Sequence, residues 1–174
     1  MVQPVDRVGA RLVSFLPNLR RFAISLCRAR DVADDLVQQT CERALAAADS
    51  FDPESRFDAW VFRILRNLWL DQLRRQKTAG PTVDIDDMHD LSVASGEGQS
   101  EARLALAKVE AALQQLPPEQ REVLVLVCIE EMSYRYAADV LDIPVGTVMS
   151  RLARARKALS ELTGINPEPR RSLP

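Results

Sequence analysis

Apolar positions in this chain recur at the three-to-four residue spacing of one helix face, in blocks separated by short polar or proline-containing breaks. From Ser14 to Arg28 the stripe is Phe15, Leu19, Phe22, Ala23 and Leu26, with Arg20, Arg21 and Arg28 outside it; this predicts a core helix whose first turn is limited by Pro17. The first dozen residues are weakly patterned. A second helix, capped by Asp31 and running to about Ala47, turns Val32, Leu36, Cys41, Ala44 and Leu45 inward. Asp34 and Asp35 fall in its first turn, where negative charge is favoured, and Asp35, Gln38, Gln39 and Glu42 form a polar exterior. Ser50 to Arg56 reads as a loop, and a long helix follows from Phe57 to about Gln76. Its expected buried side is Trp60, Val61, Ile64, Leu65 and Leu68, leaving Phe62, Arg63, Arg66, Trp69, Leu73 and Arg74 on the other faces.

Lys77 to Ser100 breaks every period, with Gly80, Pro81, Gly96 and Gly98 among acidic residues. It predicts a flexible linker and a domain boundary, and it contains the lone His89, read as a solvated loop residue. The helical period resumes at Glu101 through Leu104, Ala107, Ala111 and Leu113, turns at Leu116-Pro117-Pro118, and continues from Glu119 to Glu130 with Val123, Leu124, Leu126 and Val127 inward. Residues after Leu162 predict a disordered tail.

Between these blocks lies Ser133 to Lys157, which reads as helix, short turn, helix. Tyr134, Ala137, Ala138 and Leu141 carry the first helix, Asp142 and Pro144 interrupt, and Val148, Leu152 and Ala155 mark the inner face of a second that begins near Val145. Small residues at Ala137 and Ala138 let two helices cross closely. Ser150, Arg151, Arg154 and Arg156 are left outside, and Val145 to Lys157 holds four basic residues and no acid. That concentration of charge suits a polyanion, with Gly146 and Thr147 at the helix N-terminus able to receive a phosphate and the following side chains aimed at a major groove. The plain alternative is a surface helical hairpin with a basic face.

Ten prolines, few aromatics and no β-branched runs favour an all-α protein, and 174 residues that are 47% hydrophobic suffice for two small cores. The net charge of −2 argues for nothing by itself, but its distribution does: Lys77 to Ser100 carries one basic and five acidic residues. Cys27, Cys41 and Cys128 lack metal or disulfide spacing, and Cys27 and Cys41 fit small core positions. No apolar run is long enough to span a bilayer, so the expectation is a cytoplasmic protein without stable membrane insertion. Aromatics interleaved with arginines on the Phe57 helix suit single-stranded nucleic acid, although both tryptophans could equally be core residues of a helical bundle; Trp60 is the better core candidate.

These segments together resemble a bacterial sigma factor of the extracytoplasmic-function (ECF) class of the sigma-70 family, over nearly the whole chain. The residues that carry the resemblance are D-V-A-D-D-L-V-Q-Q-T (Asp31 to Thr40), F-D-A-W-V-F-R-I-L-R-N-L-W-L-D-Q-L-R-R (Phe57 to Arg75), L-P-P-E-Q-R-E-V-L (Leu116 to Leu124), and the stretch from Ser133 through I-P-V-G-T-V-x-S-R-L-x-R-A-R-K-A-L. L-P-N-L-R-R-F-A-I-S-L-C is also similar to sigma factors of the alphaproteobacterial general stress response.

The resemblance implies two small helical domains: a sigma region 2 over 8–77 and a helix-turn-helix sigma region 4 over 102–163, joined by the acidic linker at 78–101 and followed by a tail at 164–174. It implies an alternative sigma factor for a stress regulon that binds core RNA polymerase and promoter DNA, is held by an anti-sigma factor, uses no cofactor and is not an enzyme. Asp34, Asp35, Gln38 and Gln39 would meet core polymerase. Ser55, Arg56, Arg63, Arg66, Asn67 and Trp69 would serve the minus 10 element, held as an extruded base and strand, so that binding energy opens the duplex. Met149, Ser150, Ala153 and Arg154 would approach minus 35 base edges, with Arg135, Thr147 and Arg151 near phosphates. Three departures stand out: Met149 where the family is usually basic, Arg135-Tyr136 for the usual acidic pair, and Asp142 for the usual turn glycine. The rival classes are a dimeric operator-binding regulator, which leaves the Phe57 helix and the linker without a role, and an all-α enzyme, for which no acid–base pair, metal cluster or phosphate loop is present.

Overall fold

A computed structural model describes residues 4–78 and 101–164; the acidic linker with His89, and the tail, lie outside them. Every regular element described is helical. Helices α1 (Pro4–Cys27), α2 (Arg30–Ala46) and α3 (Phe57–Thr78) form the first half; α4 (Glu101–Gln115), α5 (Pro118–Leu124), α6 (Tyr134–Leu141) and α7 (Val145–Thr163) form the second.

The first half differs from its sequence pattern in three places. Helix α1 starts ten residues early and carries Pro17 in its interior, because Val8 and Leu12 extend the apolar stripe of Leu19, Phe22 and Leu26 backward by two turns. Helix α2 begins after Ala29, which offers no side-chain cap, and Asp31 lies in the first turn instead. Its buried residues are Ala33, Leu36, Thr40 and Ala44; the Thr40 hydroxyl donates to the Leu36 carbonyl at 2.7 Å, which makes a buried polar residue tolerable in mid-helix. Val32, Cys41 and Leu45 only flank that core.

On α3 the inner face is Phe57, Val61, Phe62, Leu65 and Trp69, so Phe62 and Trp69 are core residues and Trp60, Ile64 and Leu68 sit at its margin. The Phe62 ring packs 5.1 Å from Phe15 and 5.0 Å from Phe22, the latter edge to face. Trp60 leans on Phe51 with ring centroids 4.7 Å apart, which ties the loop before α3 to the helix.

In the second half α5 opens at Pro118, well placed at a first helical position, and widens into a π turn over Val125–Ile129. The bond from Glu130 N to the Val125 carbonyl (3.0 Å) closes that turn, and Met132 N donates to the Leu126 carbonyl (3.0 Å) just beyond it. Helix α6 is capped by Ser133, whose hydroxyl accepts from Tyr136 N at 3.3 Å. It ends at Asp142, which takes the left-handed conformation at φ 49°, ψ 51°. An aspartate is tolerated there but glycine is unstrained, so Asp142→Gly is expected to stabilise the protein by about 0.5–1 kcal/mol, read as a raised urea midpoint. Ala137, Ala138, Val140 and Leu141 of α6 meet Val148, Leu152 and Ala155 of α7, as the small-residue crossing requires. Helix α4 rests on α7; its Ala112 is buried and its Leu113 packs at the margin of the core, while Leu104 is half exposed.

The two halves are in contact. Arg121, 1% exposed, reaches from α5 to donate to the Ser25 carbonyl at the end of α1 and to the Leu116 carbonyl at 3.1 Å. Burial, aided by the charge of Arg28, pulls its pKa down to about 10. Glu130, just past the π turn, accepts from Asn18 (2.5 Å) and Arg21 (3.0 Å) of α1. Helix α3 lies against α6.

Candidate nucleic-acid interface

Helix α7 is a basic rod with an apolar underside. Val148, Leu152 and Ala155 anchor it, and the 3.6-residue period therefore puts Met149, Ser150, Ala153 and Arg154 on the outer side, all exposed, with Met149 at 53%. Arg154 folds back along the helix, donating to the Ser150 carbonyl (3.3 Å) and hydroxyl (3.4 Å). Thr147 and Arg151 flank the row half-buried, and Arg135 is exposed on α6. Gly146 sits in the first turn with nothing within 4 Å of where a Cβ would lie, so the approach to the helix N-terminus is open.

The second group lies around α3 and the loop before it. Ser55 donates to the Asp52 carbonyl at 2.6 Å, which folds the loop back on itself. Arg56 pairs with Asp58 and lays its guanidinium 4.6 Å from the centre of the Tyr136 ring. Burial works against the Asp58 carboxylate, but hydrogen bonds from Arg56 and Ala59 N outweigh it and hold its pKa below the usual value. An open cleft of about 460 Å³ beside the loop is lined by Arg11, Ser14, Phe15, Ser55, Arg56, Phe57 and Asp58. Arg11 sits 4.3 Å over the Phe57 ring at its wall.

Farther along α3, Arg63 donates twice to the Asp139 carbonyl, at 3.1 and 2.6 Å, and Arg66 pairs with Glu122 at 3.1 Å. Burial pushes the Glu122 carboxyl up, against the pull of Arg66. Asn67 is exposed. Trp69 is 8% exposed and belongs to the core, which corrects its expected place among the minus 10 residues: its ring is no stacking platform, because α3 uses that face to close the first half.

The acidic and amide side chains of α2 form one exposed face of Asp34, Asp35, Gln38 and Gln39. Asp34 is bridged to Arg20 at 2.8 Å, Gln38 bonds Glu42 at 3.1 Å, and Gln39 accepts from Gln72 at 3.4 Å. The sequence pattern did not single out Glu122, Glu130 or the Asp139 carbonyl, whose partners are far away in the chain.

Two family models match the chain: Sigma-70 region 2 over residues 12–79 and Sigma-70, region 4 over residues 106–159. The ECF RNA polymerase sigma factor EcfG of Rhodopseudomonas palustris is 44% identical over 157 residues, 90% of this chain and 85% of that protein. The chain belongs to the ECF sigma factors of the sigma-70 family. It is a non-catalytic initiation subunit that directs RNA polymerase to promoters. A further relative is the sigma factor CnrH of Cupriavidus metallidurans, 39% identical over 143 residues, 78% of this chain and 75% of that one. Among solved structures, the sigma factor RpoE in complex with the anti-sigma factor NepR from Bartonella quintana matches with a TM-score of 0.71 and 35% identity, covering 91% of this chain and 98% of that one. CnrH in complex with the cytosolic domain of CnrY matches at 0.63 and 34%, covering 89% and 86%. Likeness to both EcfG and the NepR-bound factor is consistent with the alphaproteobacterial general stress response type. Because the matches occupy both halves, neither the dimeric regulator nor the all-α enzyme accounts for the chain. No described helix is long and apolar enough to cross a membrane.

Proposed function

We propose that α7 reads the minus 35 element as duplex and that α3, with the loop before it, holds the minus 10 element as a single strand. The observation that carries the first part is the exposed row Met149, Ser150, Ala153 and Arg154 on a helix whose N-terminus is unobstructed. Arg135, Thr147 and Arg151 flank that row as phosphate contacts. The open cleft beside Ser55 and Arg56 supports capture of an extruded base, with Arg63, Arg66 and Asn67 along the strand. The face of Asp34, Asp35, Gln38 and Gln39 docks on core polymerase. The relatives solved with NepR and CnrY support an anti-sigma factor as a further partner, and the place of action is the cytoplasm, on a stress regulon.

Arg154 is the decisive side chain, since a guanidinium clasps guanine through two hydrogen bonds. Arg154→Ala is expected to relax selection at one upstream base pair by about 1–3 kcal/mol while leaving the downstream element unchanged. Selection from a promoter library by the reconstituted polymerase measures both. A shift in the downstream element would contradict the assignment.

A further inference from the structure

The opening turns of α1 carry two arginines that the fold leaves without an acid. Val8 and Leu12, each 3% exposed, bury the inner face of these turns, and the helical period puts Arg7 and Arg11 one turn apart on another face, both exposed. Like charges at that spacing repel, and neither arginine forms an ion pair with a described residue. Both precede the stretch that the Sigma-70 region 2 model matches, which begins at residue 12. Arg11 is held by rings instead: its guanidinium carbon lies 4.3 Å from the centre of Phe57 and 5.5 Å from that of Phe51. A guanidinium stacked in this way keeps its N–H donors at its edge, where they can meet a phosphate oxygen.

Arg11 is also common to the walls of two hollows. One is the open cleft beside Ser55 and Arg56. The other, of about 270 Å³, is lined by Arg7, Arg11, Asp49 and Phe51 among others, where the start of α1 packs on the short 3-10 turn Ala48–Ser50. The two hollows are therefore neighbours along one seam between α1 and the loop, with cations at the wall they share. The carboxylate of the first hollow, Asp58, is already paired with Arg56. Asp49 in the second would repel a phosphate but can accept from the N–H groups of a base edge, so the hollow suits a base and the arginines suit the backbone.

We infer that Arg7 and Arg11 carry the single strand past the extruded base. Arg11 holds the phosphate that joins that nucleotide to its neighbour, Arg7 holds the next phosphate, and the neighbouring base enters the second hollow against Phe51. The inference rests on the reading that the cleft beside Ser55 and Arg56 takes the extruded base. It adds a second nucleotide subsite to region 2 and makes the start of α1 part of the strand path.

The test uses holoenzyme reconstituted from purified core polymerase and the full chain, with a fluorescent promoter fragment whose bubble is opened in advance by mismatches, so that melting does not enter the affinity. Each phosphate contact to a single strand adds about 0.7 to the slope of log affinity against log salt. Arg7→Gln/Arg11→Gln is expected to bind the fragment at least about fivefold more weakly at low salt, with a slope shallower by about 1.4. Arg7→Lys/Arg11→Lys keeps both charges and is expected to keep the wild-type slope. Arg7→Gln alone removes no ring contact and is expected to lose about 0.7 of slope, which keeps the test decisive if losing Arg11 disturbs the fold, as checked by circular dichroism. Unchanged affinity and slope in the glutamine variants overturn the inference. So does weaker binding to core polymerase with an unchanged slope, which would assign the pair to a protein contact, and so does equal loss of slope in the lysine variant. Arg56→Gln separates the two claims: if it leaves binding of the fragment unchanged, the cleft reading fails, whereas a failure confined to the Arg7 and Arg11 variants strikes this inference alone.

Discussion

Replacing Phe62 by alanine is expected to cost about 3–5 kcal/mol, enough to unfold much of region 2 in a small domain. The ring is fully buried, and it contacts Phe15 and Phe22 at 5.1 and 5.0 Å, so it joins α3 to α1 at the centre of that half. Val61 and Leu65 on α3 and Leu19 and Leu36 of the same core are themselves fully buried, so a cavity is expected to remain. The urea midpoint should fall by that free energy divided by the unchanged slope, and transcription should be lost with it. Phe62→Leu, which keeps apolar contact, should lose clearly less. An alanine variant within about 0.5 kcal/mol of wild type would mean that the ring is on the surface, as the sequence pattern placed it.

The second large effect belongs to Arg121. Its guanidinium is buried and bonded to two backbone carbonyls, Ser25 on α1 and Leu116 before α5, so one side chain ties the end of α1 to the start of the α5 helix. Arg121→Met keeps most of the volume and removes the donors, leaving two carbonyls without those partners. Each such loss costs about 1–3 kcal/mol, and part is offset because the fold no longer desolvates a charge whose pKa it has pulled down to about 10. The net expectation is a loss of about 2–3 kcal/mol, with the halves unfolding in separate transitions. Differential scanning calorimetry distinguishes that outcome from a single shifted transition. Unchanged cooperativity would show that Arg121 serves α5 alone.

Local periodicity made most of the helices legible, and the fold class with them. Val148, Leu152 and Ala155 on α7 and Ala137 and Ala138 on α6 are buried where the 3.6-residue period places them, because each of those helices buries a single stripe. Helix α3 defeats the same reasoning. It packs on α1 and α2 with one face and lies against α6 with another, so apolar residues occur around much of its circumference and no one stripe stands out. Trp60, the better core candidate by period, therefore sits at the margin on Phe51, and Trp69 is the core residue. The early start of α1 was hidden by Pro17, which reads as a first-turn residue and is in fact interior.

The candidate site was legible in a different measure. The helix-turn-helix and its basic outer row could be read directly, since charge on one face of a short helix is a local signal. The pairing of Arg63 and Arg66 could not. Their partners, the Asp139 carbonyl and Glu122, lie 76 and 56 residues away in the chain, and an arginine in such a pair looks the same in sequence as one in solvent. Asp142 falls between these cases: its place as a helix stop was readable, and its left-handed backbone confirms that an aspartate fills a position better suited to glycine.

The central claim is that one chain reads two promoter elements with two separate helices. Start-site mapping over a library of randomised promoters, transcribed by purified core polymerase with and without this protein, tests it most directly. The account predicts enrichment only in the protein's presence, at start sites preceded by two short motifs at a fixed spacing. Enrichment of one element alone, or none with a fully active core enzyme, would contradict it.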